Sequence, residues 1–340
     1  MENVNLKTLA VQLKLSAATV SKALRDSYEI SAATKQRVAE LAAKLNYVPN
    51  PYASSLRKKV SKTIAVVLPE VADSFFAEAI NGIEAIAQEK GYHVLIYLTH
   101  ENVEKEKAIL KDFQSGRVDG VLLSVSAQTV HIGHISNLKS FGIPMVVFDR
   151  ICDEIETAKV FTDDFNSGFT AAQHLIDNGC KTIAFLSVSS TLSIIRKRIN
   201  GYRQAMTDNG FSEKELFVVD CTSNDEQNNT IILNLLKGEN KPDGIIASVE
   251  KLTANIYTAC HQLQLKIPED AAVVSFSNLK TAAILNPSLT TITQPAFAMG
   301  KAAASLLFKS LEKKNYLIDK ESLSFPSVLT VRNSSVKKHL

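Results

Sequence analysis

From Thr63 onward the sequence alternates short apolar runs rich in Val and Ile with longer amphipathic segments, and this alternation constrains the fold most. The apolar runs predict strands at 63–69, 93–98, 119–124, 144–149, 182–187, 216–220, 243–248 and 271–276. The segments between them predict helices, among them 76–90, 104–115, 166–178, 195–209, 226–237 and 251–264. Strands that are apolar on both faces must be covered on both sides, so the prediction is an α/β fold with doubly wound parallel sheets.

The first four strands and the last four repeat one arrangement at a spacing of roughly 120 residues, which is too long for a solenoid. VDGVLL at 118–123 resembles PDGIIA at 242–247, and FGIPMVVF at 141–148 resembles LKIPEDAAVVSF at 265–276. Two lobes of this kind enclose a cleft, and ligands of open α/β sheets bind beyond the carboxyl ends of the strands. The sequence therefore predicts a two-lobed small-molecule receptor of the periplasmic-binding-protein type.

The first 62 residues differ in charge from the rest of the chain. They contain eleven Lys or Arg against four Asp or Glu, a net charge of +7, whereas the remainder carries −4. Nonspecific affinity for nucleic acids comes from Lys and Arg side chains that neutralise phosphates, so this part favours a polyanionic partner. A merely solvated basic surface is the alternative.

Three short helical patterns fit before residue 47. Their apolar stripes are Leu6, Leu9, Ala10 and Leu13; Val20, Ala23 and Leu24; and Val38, Leu41, Ala42 and Leu45. Ser16 and Ser31 are predicted to cap the second and third helices. The connection at 14–16 has the length of a helix-turn-helix, in which the second helix enters the major groove of DNA.

The second helix lies in LSAATVSKAL (15–24) and carries short side chains where a surface helix usually has long charged ones. Short side chains let a helix axis approach base edges closely. The hydroxyls of Thr19 and Ser21 can reach phosphates, and Lys22 can donate to guanine O6 or N7. The two alanines can offer only methyl contact. A generic three-helix bundle with small surface residues is the structural alternative.

The segments VNLKTLAVQLKLSAATVSKAL, ISAATKQRV and LNYVPNPYASSLRKK closely resemble the DNA-binding headpiece and hinge of the LacI/GalR family of bacterial repressors. The resemblance implies that Ala17, Ala18 and Lys22 face bases, and that Ser16, Thr19, Ser21, Ser31 and Thr34 contact phosphates. Two positions depart from the family pattern. The family commonly has Gly at the position of Lys14, which implies strain in the turn, and Asn at that of Arg25, which implies an added backbone or base contact.

The stretch from Asn50 to Leu56 begins with a good N-cap and a proline, but it has barely two turns before a basic run. A helix that short is marginal in water, and a plain basic linker is one interpretation. The resemblance implies instead a hinge helix that orders on DNA. In that interpretation Asn50, Ala53 and Leu56 match the hinge pattern, and Leu56 wedges between base steps in the minor groove.

The resemblance extends to the body and sets the expected domains. Residues 1–48 form the helix-turn-helix headpiece, 49–61 the hinge helix and linker, and 62–340 the effector-binding and dimerisation core. NPSLTTITQP (286–295) resembles the family's return crossing between lobes, and FPSVLTVRNSS its closing strands. The expected lobes comprise 62–161 with 294–322, and 162–293 with 323–336.

Six residues near predicted strand ends are the candidates for effector binding: Phe75, Phe76, Asp149, Arg198, Ser277 and Asn278. In relatives, aromatic residues near the first pair pack against a sugar or base, and an Arg three residues before the Gly matching Gly201 binds the ligand. The phenylalanines have an alternative role as a staple between a helix start and the core. Asp149 has alternative roles as a helix cap or an interface acid. Many relatives have Asp in place of Ser277, and Asn-Asp in place of Val249 and Glu250.

Enzyme chemistry finds little support, since GxSxG, GxxxxGK[ST], HExxH and GxGxxG motifs are absent. His131 and His134 lack a nearby acidic or Cys partner for a metal, the four cysteines form no CxxC pair, and Asp163 and Asp164 fit a helix cap better than an acid pair. No catalytic residue, metal or cofactor is expected. Neither a membrane span nor a secretory signal is seen, so a cytoplasmic location is expected.

The sequence thus predicts a ligand-responsive, sequence-specific DNA-binding transcription regulator and not an enzyme. We expect a repressor of carbohydrate-related genes that acts as a homodimer on a pseudo-palindromic operator. The expected effector is a sugar or sugar phosphate in the cleft between the lobes. The alternatives are a two-lobed sugar receptor without a DNA role and an α/β enzyme with a catalytic site in the cleft.

Overall fold

The computed structural model describes residues 5–47, 60–189, 191–222, 224–313 and 321–337. The chain divides into two compact units, Met1–Ser61 and Lys62–Leu340. Among the described residues, no helix combines the length and the apolar character that crossing a bilayer requires.

Among its described residues, the first unit contains three helices, α1 (Leu6–Leu13), α2 (Ala17–Leu24) and α3 (Ala32–Lys44). We call its described part, residues 5–47, the headpiece. Each of the three helices contributes one fully buried side chain to the centre of the core, namely Leu9, Val20 and Val38. The predicted three-helix arrangement is confirmed, because one apolar stripe per helix meets the other two.

Among its described residues, the second unit contains two six-stranded sheets and eight α-helices. The first sheet contains β1 (Thr63–Leu68), β2 (His93–Leu98), β3 (Gly120–Leu123), β4 (Met145–Phe148), β5 (Ala158–Thr162) and β11 (Ser322–Phe325). The second contains β6 (Ile183–Ser187), β7 (Phe217–Asp220), β8 (Gly244–Ala247), β9 (Ala272–Phe276), β10 (Thr290–Thr293) and β12 (Val328–Thr330). The helices are α4 (Ser74–Glu89), α5 (Val103–Phe113), α6 (Gly133–Ser140), α7 (Asp164–Asp177), α8 (Ser193–Asp208), α9 (Asp225–Lys237), α10 (Lys251–Gln262) and α11 (Ala296–Glu312).

The two sheets have equivalent strand orders, β11-β5-β4-β3-β1-β2 and β12-β10-β9-β8-β6-β7. All neighbouring strands are parallel except β12, which runs antiparallel to β10, so the second sheet is mixed rather than wholly parallel. The predicted two-lobed α/β architecture is confirmed. β11 extends to Phe325, three residues beyond the boundary expected at 322.

Each lobe contains a pair of helices in backbone contact. A Cβ placed on Gly82 in α4 or on Gly300 in α11 would lie 2.1 Å from a carbonyl oxygen of the other helix. In the second lobe, a Cβ on Gly168 or Gly201 would lie 2.0 or 1.9 Å from a carbonyl oxygen across the α7–α8 contact. Real Cβ atoms do not approach so closely, so only glycine allows these crossings. The α7–α8 contact determines the position of Arg198.

Candidate functional site

The turn between α1 and α2 is strained at Lys14, the position at which the family commonly has Gly. Lys14 ends α1 with a φ of 54° and a ψ of 41°, the left-handed conformation that favours glycine. A side chain in this conformation costs roughly 1 kcal/mol relative to glycine. The headpiece therefore tolerates a strained turn to present α2.

Four of the hydroxyls predicted to contact phosphates lie at helix N-termini. The Ser16 hydroxyl accepts from the Thr19 N–H at 3.0 Å, and the two hydroxyls are 2.8 Å apart. Ser31 and Thr34 repeat this arrangement at the start of α3, with distances of 3.4 and 3.0 Å. The predicted caps are confirmed, and helix N-termini favour anions through their free N–H groups and dipole.

The two alanines at the start of α2 differ in exposure. Ala18 is exposed, but Ala17 is half-buried and packs against the headpiece core. Ala17 precedes the buried Val20 by three residues, so both lie on the inward face of α2. Less of the Ala17 methyl group is therefore free for a base contact than the sequence suggested.

The basic side chains of α2 contact other headpiece residues. Lys22 forms an ion pair with Glu29 in the loop before α3, and both side chains are about half-exposed. Arg25 donates from Nε to the Ser21 carbonyl oxygen at 3.0 Å and from Nη2 to the Ser21 hydroxyl at 2.8 Å. The Ser21 hydroxyl accepts from Arg25 and keeps its own hydrogen free to donate. The predicted hinge residues Asn50, Ala53 and Leu56 lie outside the described residues.

The body contains a cleft of about 470 Å³. Its polar and charged lining includes Glu70, Asp73, Glu101, Arg150, Thr191 and Lys251. These residues follow the carboxyl ends of β1, β2, β4, β6 and β8, the position at which open α/β sheets bind ligands. None of the six predicted effector residues belongs to this lining.

Phe75 and Phe76 pack into the core of the first lobe, and their ring centroids lie 5.3 Å apart in an edge-on arrangement. Two contacts connect them to residues of the cleft lining: the guanidinium of Arg150 lies 5.8 Å from the Phe76 ring, and the Phe75 N–H donates to the Asp73 carboxylate at 2.9 Å. Their packing therefore matches the alternative in which they staple the start of α4 to the core.

Arg198 is almost completely buried between α7 and the second sheet. Its Nε donates to the Asp164 carboxylate at 2.8 Å, and its Nη1 donates to the Ser248 carbonyl oxygen at 2.7 Å. Its guanidinium also stacks 4.1 Å from the centroid of the Phe276 ring. Asp163 caps α7 as predicted, whereas Asp164 pairs with Arg198 instead of sharing the cap.

Asp149 follows β4 in the left-handed conformation, with a φ of 61°. Its carboxyl is buried, and this burial raises its pKa to about 7 although Arg150 and Arg198 lower it. Burial and then the nearby Glu250 carboxylate raise the pKa of Asp73, which caps α4, to about 6. The Asp73 carboxylate lines the cleft, whereas the Asp149 carboxyl lies outside the lining and adjoins the lining residue Arg150 in the chain.

Arg150 and Glu101 form an ion pair that was not predicted from the sequence. Arg150 Nη1 donates to Glu101 at 2.6 Å, and the other Glu101 oxygen accepts from the Ala127 N–H at 2.8 Å. Arg150 Nε is buried and has no hydrogen-bond partner among the described atoms. Both residues follow strand ends by one to three positions, so a search of strand ends for paired charges would have found them.

Glu250 connects the two lobes. Its carboxylate accepts from the N–H of Ser74 at 3.2 Å and from the Ser74 hydroxyl, both in the first lobe. It also accepts from the Ser277 hydroxyl at 2.6 Å and the Asn278 N–H at 3.2 Å in the second lobe. The Asn278 amide further donates to Glu78 at 3.2 Å and to the Gln294 carbonyl oxygen at 2.7 Å. Ser277 and Asn278 therefore serve the contact between the lobes.

The described residues contain no group of three or more His, Cys, Asp or Glu side chains arranged to hold a metal ion. The four cysteines are free thiols. His134, for which no acidic partner was expected, lies 2.7 Å from the buried Glu106 carboxylate. This pair supports the loop at 124–131, because Glu106 also accepts from the Ser126 N–H at 2.8 Å.

Comparisons with known proteins agree with this architecture. Residues 5–50 match the model of bacterial regulatory proteins of the lacI family, and residues 172–335 match the periplasmic binding protein-like domain. The chain is 27% identical to catabolite control protein A of Priestia megaterium, covering 98% of this chain and 99% of that protein. It is 29% identical to the ribose operon repressor of Halalkalibacterium halodurans, covering 97% and 96%.

The fold is similar to that of the lac repressor dimer bound to operator and the anti-inducer ONPF. The TM-score is 0.85 at 20% identity, covering 99% of this chain and all of that one. The chain therefore combines a DNA-binding domain of the lacI type with a periplasmic binding protein-like domain, and it is a ligand-responsive, DNA-binding transcription regulator.

Proposed function

We propose that this regulator represses carbohydrate-related genes as a homodimer on a pseudo-palindromic operator, with α2 in the major groove. The observation that carries the proposal is the exposed surface of α2, where Ala18 leaves room for close approach and Lys22 supplies a cation. The ribose operon repressor among its relatives supports the link to carbohydrates. The proposed domains are the headpiece at 1–48, the hinge at 49–61 and the effector-binding core at 62–340.

Each DNA contact has a proposed role. The proposed phosphate contacts are the hydroxyls of Ser16, Thr19, Ser21, Ser31 and Thr34. The proposed base contacts come from Ala18 and Lys22, with a smaller contribution from Ala17 and an added contact from Arg25. The proposed minor-groove contacts are those of Asn50, Ala53 and Leu56. Phosphate contacts position the protein, whereas base contacts determine sequence preference. Because α2 offers mainly Lys22 as a polar base contact, we expect much of the remaining specificity to come from the hinge.

The proposed effector is an uncharged sugar bound in the cleft. Glu101 and Arg150 neutralise each other, and Lys251 offsets one of the two remaining acids, Glu70 and Asp73. The lining therefore keeps an excess of one negative charge, which disfavours a sugar phosphate. Asp149 adjoins the lining residue Arg150, and Arg198 donates to the Ser248 carbonyl oxygen next to the lining residue Val249. The remaining four candidates act through packing and the contact between the lobes, namely Phe75, Phe76, Ser277 and Asn278.

The proposed switch follows from linkage. An effector that binds one arrangement of the lobes more tightly shifts the population toward it, and changes operator affinity by at most its differential affinity. The Glu250 contacts to Ser74, Ser277 and Asn278 stabilise one such arrangement. We further propose that the protein acts in the cytoplasm and catalyses no reaction, which its regulator relatives support.

Selection of bound sequences from random DNA tests the proposed operator binding. Lys22→Ala should relax the preference at one base pair per half-site and cost about 1–3 kcal/mol of operator binding. Lys44→Ala, at the end of α3, is the matched control for loss of one charge. An equal loss for all DNA sequences would make Lys22 a phosphate contact, and no selected sequence at all would refute the proposed function.

A screen of sugars for release of the protein from its selected operator tests the effector site. Asp73→Asn keeps a side chain that can cap α4 but removes one negative charge from the lining. It should weaken the effective sugar about tenfold or more while operator affinity changes little, because charge-assisted hydrogen bonds are the strong ones. Glu89→Gln at the other end of α4 is the control.

A further inference from the structure

Glu29 places a carboxylate beside the main cation of α2. The Glu29 and Lys22 side chains form an ion pair while remaining 45% and 48% exposed. Exposed ion pairs of this kind contribute little to stability, so stabilising the fold does not account for an acid at this position. A carboxylate close to a surface that meets DNA is unfavourable, because it repels phosphates.

The Lys22 ammonium group can contact either a base edge or a phosphate, and the ion pair with Glu29 affects these two contacts differently. The group has three donors, so one can remain with Glu29 while the others donate to guanine O6 and N7, which are neutral acceptors. A phosphate contact is different, because Lys22 must then bring Glu29 close to a second anion. The ion pair therefore tolerates base contacts and opposes phosphate contacts.

We propose that Glu29 is a specificity-determining residue that restrains Lys22 from binding phosphates. It lowers affinity for DNA of arbitrary sequence and leaves affinity for the operator nearly unchanged. The inference rests on the proposed function, because it requires α2 to meet DNA. It assigns to the loop between α2 and α3 a role in discrimination, whereas the hydroxyls at the starts of α2 and α3 serve positioning.

The headpiece offers a matched control for the charge itself. Glu40 in α3 is exposed, and its carboxylate accepts from the neutral Gln36 amide at 3.1 Å. Glu40→Gln removes the same charge from the same unit without affecting Lys22. Asp26 is unsuitable as a control because its carboxylate pairs with Lys35 at 2.7 Å.

The experiment uses the full chain, the operator obtained by selection and a scrambled duplex of equal length, titrated between about 50 and 200 mM salt. Glu29→Gln should bind the scrambled duplex about fivefold more tightly, and its log K against log salt slope should steepen by about 0.9, equivalent to one added phosphate contact. Its operator affinity should change less than about twofold, since the base contacts of Lys22 remain. In a Lys22→Ala background the effect of Glu29→Gln on the scrambled duplex should largely disappear.

Four results would overturn the proposal: equal gains on both duplexes, an equal gain with Glu40→Gln, a gain that persists in the Lys22→Ala background, or an unchanged salt slope in Glu29→Gln. A wild-type protein that selects no DNA sequence would instead refute the proposed function, so the two failures are distinguishable.

Discussion

Two ion pairs of similar composition occupy opposite environments in this molecule. In the headpiece, Lys22 and Glu29 are about half-exposed, whereas in the body Arg198 and Asp164 are 3% and 2% exposed. Water stabilises the separated charges of the first pair, so that pair can exchange partners at little cost. The second pair has no such alternative, because a lone charge would remain in a low-dielectric interior. The exposed pair thus leaves Lys22 able to donate to neutral acceptors such as base edges, whereas the buried pair holds α7 and α8 against the second sheet.

The largest expected effect comes from breaking the buried pair. Arg198→Ala leaves Asp164 without its partner and should lower the free energy of unfolding of the body by about 3–5 kcal/mol, measured by urea denaturation. Arg196→Ala, on the exposed side of the same helix, should cost less than about 0.5 kcal/mol. Adding Asp164→Asn to Arg198→Ala should recover part of the loss. A loss below about 1 kcal/mol together with a lost effector response would make Arg198 a ligand contact instead.

An intermediate effect should come from pH acting on the buried carboxyl of Asp149. Its pKa is raised to about 7, so between about pH 4 and 7 the folded protein holds a proton that the unfolded chain releases. The free energy of unfolding therefore falls as pH rises through this window. Asp149→Asn lacks this titration and tolerates the left-handed backbone, so its stability relative to wild type should rise by on the order of 2–3 kcal/mol from pH 5 to pH 8.

Urea denaturation at several pH values measures this difference for the body. Asp153→Asn, in the exposed segment after β4, is the matched control. Parallel pH profiles for wild type and Asp149→Asn would show that burial does not control this carboxyl.

The smallest effect should come from the exposed pair. A double-mutant cycle of Lys22→Met and Glu29→Gln should give a coupling free energy for headpiece stability of less than about 1 kcal/mol. Amide hydrogen exchange of the buried core positions Leu9, Val20 and Val38 reports this stability within the full chain. A coupling above about 2 kcal/mol would remove the distinction between the two pairs.

The sequence predicted the fold where local pattern decides it. Strands such as β1 and β8 are buried along their whole length and therefore read as continuous apolar runs. β5 was not predicted, because its AKVFT sequence alternates buried with half-buried positions and includes Lys159. α6 was also missed, since GHISNLKS has a weak apolar stripe without a side-chain cap. The sequence anticipated the doubly wound pattern but not the antiparallel pairing of β12 with β10.

The sites were predictable only in part, because their contacts join distant residues. Ligands of α/β sheets bind near strand ends, and this rule identified Asp149 and the region around Ser277. It did not predict the contact between the lobes in which Glu250 accepts from Ser74, 176 residues earlier in the chain. Arg198 was identified as important, yet its pairing with Asp164 depends on the close α7–α8 crossing at Gly168. Lys22 was identified as well, whereas its partner Glu29 is set by the conformation of a loop that carries no periodic signal.

The positions of β11 and β12 have a consequence for how the protein is made. Each forms the edge of one sheet, and both come after the other ten strands that the structure describes. While the ribosome is still adding residues 322–330, β5 and β10 each lack their outer neighbour and expose backbone groups that can pair with another chain. The first sheet is completed only when β11 has been made and the second only when β12 follows, so a premature stop anywhere upstream of β11 leaves both lobes incomplete.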